Sequence, residues 1–242
     1  MEYFSIVFGV TLSCGSVLSY VPQFHTIIQN KSVEGISELS LILMNVGMMC
    51  LTMNLIIISW PYFHISFSLE TFTSLLPFIS VLISWLMCLI YYIIFITYKI
   101  KNLEKRFVSA LSYTFTYIIF IILIISLALA EQYEHNSSFF FIYEKVLGIS
   151  SAILNGIVYI PQIYSLLKTQ SAGSVSLLMY ALQTPGNIFI LIFQAILAQN
   201  PITTWITYLL VLIEQSIILF LLILFKLREK EHNTQDLEEY IA

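Results

Sequence analysis

Few residues in this sequence have chemistry to offer, and most of those sit inside long apolar runs. Glu214 lies at the middle of the run 203–226. A carboxylate at the centre of a bilayer costs about 2.5–3.5 kcal/mol on insertion scales, and such residues are usually functional. Glu214 is therefore the candidate for proton coupling or for holding a cationic solute. The remaining candidates are carboxamides and hydroxyls at helical spacing. Ser16, Tyr20 and Gln23 share one face, as do Ser151, Asn155, Tyr159 and Gln162. Gln183, Asn187 and Gln194 fall within about 40° of one another at roughly 100° per residue, and Asn45, Thr52 and Ser59 form a further stripe. From these, Tyr20, Asn45, Asn155, Tyr159, Gln183 and Asn187 are the candidate substrate-binding residues. A carboxamide donates and accepts without fixed charge, which suits a sugar or a zwitterion. The same residue types also hydrogen-bond across packed membrane helices.

Other chemistries have no residues to carry them. Cys14, Cys50 and Cys88 all fall inside apolar runs without metal-ligand spacing, and read as small buried hydrophobes. No glycine-rich phosphate loop, nucleophile elbow, metal motif or basic nucleic-acid patch is written in the chain. It is read as no enzyme, with no cofactor, no metal and no nucleic-acid partner.

The elements that position these residues follow from composition. The 242 residues are 59% hydrophobic and only 10% charged, with a mean hydropathy of +0.90. Soluble domains carry about a quarter charged residues, so lipid has to be the solvent here. A helix needs roughly 20 apolar residues to span a bilayer. Seven runs qualify, at about 4–28, 37–59, 70–98, 107–130, 143–167, 174–198 and 203–226. They are apolar on every face, unlike the alternating strands of a barrel. Pro77 lies inside the third, which is long enough to tilt or kink. The first run lacks a basic leader and is expected to remain as the first helix.

Ten Lys and Arg residues set the orientation. With seven spans, Lys31, Lys99, Lys101, Lys105, Arg106, Lys168, Lys226, Arg228 and Lys230 share one side and only Lys145 takes the other. Positive charge in short loops stays cytoplasmic. The N-terminus is then lumenal or extracellular and the C-terminus cytoplasmic. The opposite loop carries Glu131, Glu134, His135 and the sequon Asn136-Ser137-Ser138, making Asn136 the candidate glycosylation site. Asn30-Lys31-Ser32 matches the same pattern on the cytoplasmic side. Trp60 and Trp205 near run ends suit an aromatic belt, and Glu70 is placed at the interface.

The chain also repeats itself. A shift of 139 residues, without a gap, brings Gly9 onto Gly148, Tyr20 onto Tyr159 and Pro22-Gln23 onto Pro161-Gln162. Ser32 then meets Ser171, Ser37 meets Ser176, Leu43 meets Leu182 and Gly47 meets Gly186. The run at 107–130 has no partner in this register. It fits a linker helix that lets the second triplet run parallel to the first. The expected fold is all-α integral membrane, with seven transmembrane helices in a 3+1+3 arrangement of two parallel three-helix repeats. The repeats occupy 1–98 and 143–226, the linker helix and its loops 99–142, and a charged cytoplasmic tail, expected to be flexible, 227–242.

Tyr20-Val21-Pro22-Gln23, followed by Lys31-Ser32-Val33-Glu34-Gly35-Ile36-Ser37, resembles the PQ-loop repeat family. Tyr159-Ile160-Pro161-Gln162 with Gln170-Ser171-Ala172-Gly173-Ser174-Val175-Ser176 resembles a slightly degenerate second copy, with Gly173-Ser174 where the first has Glu34-Gly35. That family includes lysosomal cystine and cationic amino-acid exporters and, more distantly, the SWEETs and KDEL receptors. The resemblance implies a 3+1+3 fold with proline hinges in the first and fifth helices, and an endomembrane location such as lysosome or vacuole. Its proton-coupled members use membrane-embedded aspartates near the second motif, whereas the only aspartate here is Asp236, in the tail.

Proline removes a helical hydrogen bond and kinks the helix. Pro22 and Pro161 should free a carbonyl near Leu18 and Val158, and Gln23 and Gln162 are placed to supply a donor there or to line a cavity. Pro22, Gln23, Pro161 and Gln162 are thus the candidate hinge. The expected function is transport of a small polar solute, an amino acid or a sugar, by alternating access with protons as a candidate partner. A trafficking receptor or lipid scramblase on the same scaffold is the competing reading.

Overall fold

The computed structural model describes residues 2–64, 66, 68–99, 138–192 and 202–241, with single positions between 114 and 128. The run at 107–130 lies largely outside the described residues, and Asn136 and Gln194 lie wholly outside them. Everything described is helix, turn or loop, with no strand among the described residues. In order come α1 (Glu2–Asn30), α2 (Glu38–Ser59), a 3-10 turn (Trp60–His64), α3 (Leu69–Lys99), α4 (Ser138–Gly156), α5 (Ile160–Thr169), α6 (Leu177–Ile192) and α7 (Ile202–Ile241). Among the described residues, four stretches are long and apolar enough to cross a membrane: Glu38–Ser59, Thr71–Lys99, Lys145–Thr169 and Tyr208–Glu229. Leu177–Ile192 is a shorter apolar helix, and α1 is a helix of 29 residues.

Local chemistry sets several helix starts. Ser37 accepts from Ser40 N at 3.3 Å through its hydroxyl, with Glu38 in the first turn of α2. Ser176 accepts from Met179 N at 3.3 Å in the same way before α6. Ser68 does so for Thr71 N at 3.1 Å before α3. Each satisfies a backbone donor that a helix start leaves unpaired.

Two compact units divide the chain. Unit one is Met1–Val17 with Met44–Asn155. Here α1 and α3 meet through small residues. A Cβ at Gly9 would fall 2.0 Å from the Leu76 side chain, so any larger residue would have to displace it. Ser13 and Ser80 share a hydrogen bond at 2.7 Å, and Ser84 donates to Ser16 at 3.0 Å. Such pairs are the interhelical bonding that membrane interfaces favour. Met49, Cys50, Met53, Trp85, Tyr117, Ile124 and Leu147 form an apolar cluster, with the Trp85 and Tyr117 rings 5.4 Å apart. On α4, by contrast, Ile142, Val146, Ile149 and Ile153 are exposed along one stripe. Large apolar side chains at helical spacing on the outer surface are what a lipid-facing helix presents.

Unit two is Leu18–Leu43 with Gly156–Ala242. Ile27, Leu166, Ile218 and Leu222 are fully buried in it, one or more from each of α1, α5 and α7. Two local results differ from the sequence reading. The tail expected to be flexible continues α7 as helix to Ile241. Leu227-Arg228-Glu229-Lys230-Glu231 contains good helix formers and no Gly or Pro, so nothing there stops the helix. The two prolines also act unequally. Pro22 lies within the unbroken α1, whereas α4 ends at Gly156 and Pro161 stands in the first turn of α5.

Candidate functional site

Both Pro-Gln pairs, and the loop that follows each, belong to unit two. The loops are built alike. Helix α1 ends with Lys31 at φ +49 and α5 ends with Gln170 at φ +53, a left-handed turn that few residues other than glycine adopt. Ser32 accepts from Glu34 N at 3.2 Å, and Ser171 from Gly173 N at 3.1 Å. Ile36 N then donates to Val33 O at 3.1 Å, and Val175 N to Ala172 O at 3.0 Å. Every one of these pairs is separated by the 139-residue register of the repeat.

The glutamines cross between the copies. Gln23 Nε2 donates to Ser174 O at 2.9 Å, and its Oε1 accepts from Ser176 N at 2.7 Å. Gln162 Nε2 donates to Gly35 O at 2.7 Å, and its Oε1 accepts from Ser37 N at 2.8 Å. Gln23 is 0% exposed and Gln162 4%. Each carboxamide therefore holds the other repeat's loop by one donor and one acceptor. Neither bonds the carbonyl upstream of its proline, one of the two roles the sequence reading offered them. A direct backbone bond, Ser174 N to Glu34 O at 2.9 Å, joins the loops as well. The approach leaves no room for side chains: a Cβ at Gly173, where φ is +50, would lie 2.5 Å from Glu34 O. That contact explains the displaced glycine of the second copy.

The break before Pro161 is satisfied from other elements. Ile157 O, left without its usual donor because Pro161 has no N–H, accepts from Ile160 N at 3.2 Å, and Val158 O beside it accepts the Ser40 hydroxyl of α2. Tyr159 N donates to the Glu214 carboxylate of α7 at 3.3 Å. In the repeat register Ser40 corresponds to Met179 and Glu214 to Leu75, neither of which can serve the first copy in this way. The first helix accordingly stays continuous. Glu214 is 8% exposed, so its position is both buried and committed to a backbone donor.

Beside this break lies a chain of polar side chains. Gln215 Nε2 donates to Tyr159 Oη at 2.9 Å and to Gln183 Oε1 at 3.1 Å. Asn187 Nδ2 donates to Gln215 Oε1 at 2.6 Å, and Gln183 Nε2 to Ser19 Oγ at 3.2 Å. The structure thus joins three of the expected substrate-binding residues, Tyr159, Gln183 and Asn187, through Gln215. The sequence reading missed Gln215, although it is the only carboxamide in the run 203–226. Tyr20 is buried in the same unit, with its ring 6.1 Å from that of Phe24.

Asn45 and Asn155 belong to unit one. Asn45 Nδ2 donates to Cys88 O at 3.2 Å, and Asn155 Nδ2 to Ser151 O at 2.8 Å, one turn back on its own helix. Gly47 permits a close approach, since a Cβ there would be 3.1 Å from Asn155 Oδ1. Gly186 does not, having no described atom within 4 Å of such a Cβ. No group of His, Cys, Asp or Glu with metal-binding geometry occurs among the described residues.

A protein of Schizosaccharomyces pombe described as uncharacterised is 29% identical over 99 residues, which cover 40% of this chain. The match takes in 32% of that relative, so the chain spans about a third of its length. The PQ loop repeat is matched twice, at residues 4–64 and 143–203, once around each Pro-Gln pair. Those two matches cover half of the chain, which belongs to the PQ-loop repeat family.

Proposed function

We propose that this protein is a transporter of a small polar solute that works by alternating access, with the crossed glutamines as its cytoplasmic closure. The carrying observation is the reciprocal pair of carboxamide bridges, Gln23 to Ser174 and Ser176 and Gln162 to Gly35 and Ser37. A purely structural clamp would need no symmetry. A closure that opens by moving one repeat against the other benefits from it, because both halves release together. Intramolecular hydrogen bonds contribute about 0.5–1.5 kcal/mol net each. Four of them favour the closed state by roughly 2–6 kcal/mol, a gap that the differential affinity of a bound solute can offset.

In this reading the chain spans the membrane seven times, 3+1+3, with the linker helix near 107–130. The charge asymmetry puts the N-terminus in the lumen and the C-terminus in the cytoplasm. The location is an endomembrane, a lysosome or vacuole, and Asn136 is glycosylated. Pro161 and the break before it form the main hinge, and Pro22 a lesser one. Glu214, bonded to Tyr159 N at the break, is the group through which protons act.

Counterflow of labelled amino acids and sugars into proteoliposomes holding the purified protein tests the reading. Solute exchange supports it. Lipid movement without solute exchange would replace it with a scramblase. A glycosidase-sensitive shift that vanished with Asn30 rather than Asn136 would invert the topology.

A further inference from the structure

The polar cluster of unit two has a centre and a rim. Gln215, at the centre, is 2% exposed, and both hydrogens of its amide nitrogen are used. Its oxygen takes the Asn187 amide. An amide side chain with both ends engaged cannot turn over without losing bonds, so Gln215 has one orientation. It imposes an orientation on two neighbours in turn. Gln183 must point its oxygen at Gln215 and its nitrogen at Ser19. Asn187 must point its nitrogen at Gln215.

Gln183 and Asn187 are half-buried rather than buried. Among the described residues, each keeps an N–H beyond the bonds above, and Asn187 keeps its oxygen as well. They therefore present donors and an acceptor in fixed positions and no fixed charge. The nearby carboxylate of Glu214 is engaged at Tyr159 N and not with the cluster. The basic residues described in unit two, His25, Lys31, Lys168, Lys226 and Arg228, are absent from the cluster's bonds. Beside it, the Tyr159 and Tyr180 rings meet edge to face, 6.0 Å apart at 70°. An aromatic wall with a few fixed polar groups is the usual composition of a small-molecule site.

We propose that this cluster binds a neutral, hydroxyl-rich solute, a sugar or polyol, and that Gln215 is the residue that positions its recognition groups. The proposal rests on the transport reading and narrows its substrate. A charged or zwitterionic solute brought here would lose water around its ionic groups without gaining a counter-charge. A hydroxyl donates and accepts, and so meets either end of an amide. The C–H face of a sugar ring packs against an aromatic wall.

The test is counterflow in proteoliposomes with two panels, one of neutral sugars and polyols and one of cationic, anionic and zwitterionic amino acids. Exchange within the neutral panel alone is the expected result. Exchange confined to the amino acids would overturn the assignment and leave the transport reading standing. Exchange of neither would overturn both. For the transported solute, Gln215→Leu is expected to raise KM about tenfold with kcat within about twofold. Gln215→Glu keeps the size of the side chain but removes both donors, and should raise KM similarly. Should Gln215→Leu fold poorly, Gln215→Glu and Ser19→Ala carry the same reading, the latter with a smaller rise. Unchanged KM in well-folded Gln215→Glu would remove Gln215 from recognition.

Discussion

Gln23 and Gln162 bind the same two positions of opposite repeats. Gln23 takes the backbone of Ser174 and Ser176, while Gln162 takes that of Gly35 and Ser37, residues that correspond under the 139-residue shift. Sequence comparison alone pairs each glutamine with its equivalent. The structure pairs each with the equivalent's own loop.

Because the two bridges mirror each other, removing either should cost the same. Gln23→Leu or Gln162→Leu leaves one N–H and one C=O in a buried setting without partners, at about 1–3 kcal/mol each. Thermal unfolding in detergent should show both variants destabilised by about 2–6 kcal/mol, within about 1 kcal/mol of each other. A large inequality between them would contradict the reciprocal arrangement.

The glycines are not equivalent. Ala at Gly35, where φ is +80, would meet Ala172 O at 3.3 Å, whereas Ala at Gly173 would meet Glu34 O at 2.5 Å. The left-handed backbone alone costs a residue with a side chain about 1–2 kcal/mol. Gly35→Ala should lose about that amount, and Gly173→Ala distinctly more, because backbone stands in its way. Folded yield and melting temperature of the two variants check the order.

The prolines should differ in their effect on cycling. Pro161→Ala restores an N–H at the break and favours fusion of α4 with α5, so counterflow should slow by about tenfold or more, the equivalent of about 1.4 kcal/mol. Pro22→Ala acts inside a helix that is already continuous and should slow it less. Normal counterflow in the double variant would end the hinge interpretation.

Glu214→Gln keeps an oxygen able to accept from Tyr159 N, so the fold should survive while any dependence of uptake on pH flattens. Glu214→Leu removes the acceptor and should also lower stability, by about 1–3 kcal/mol for the unpaired donor. Uptake at several pH values, beside melting curves, separates the two effects. A Glu214→Gln protein with unaltered pH dependence would exclude this residue from coupling.

The apolar runs, the repeat register and the paired motifs were legible because each is a local pattern of residue types. The serines at 37 and 176 even show the helix starts that they cap. The crossing of the glutamines was not legible, since their partners are backbone groups 125 to 153 positions away and no residue type marks a backbone donor or acceptor. Nor was the inequality of the prolines. It depends on Ser40 and Glu214, which lie in different helices and meet only at the break. Gln215 was hidden by its neighbour, because an acid in an apolar run draws the eye from the amide beside it.

Unit two is assembled from residues 18–43 and 156–242, and this sets an order on its biosynthesis. When the first Pro-Gln pair leaves the ribosome, the backbone that Gln23 will hold has not been made. The early loop must wait, unlatched, through the synthesis of more than a hundred further residues. Long-range contacts of this kind delay folding, since the chain entropy is lost before the contact forms. The nascent first half is thus the form most in need of protection by membrane-insertion chaperones. Chains that stop before the second loop should be recognised by quality control and degraded, however well their individual helices insert.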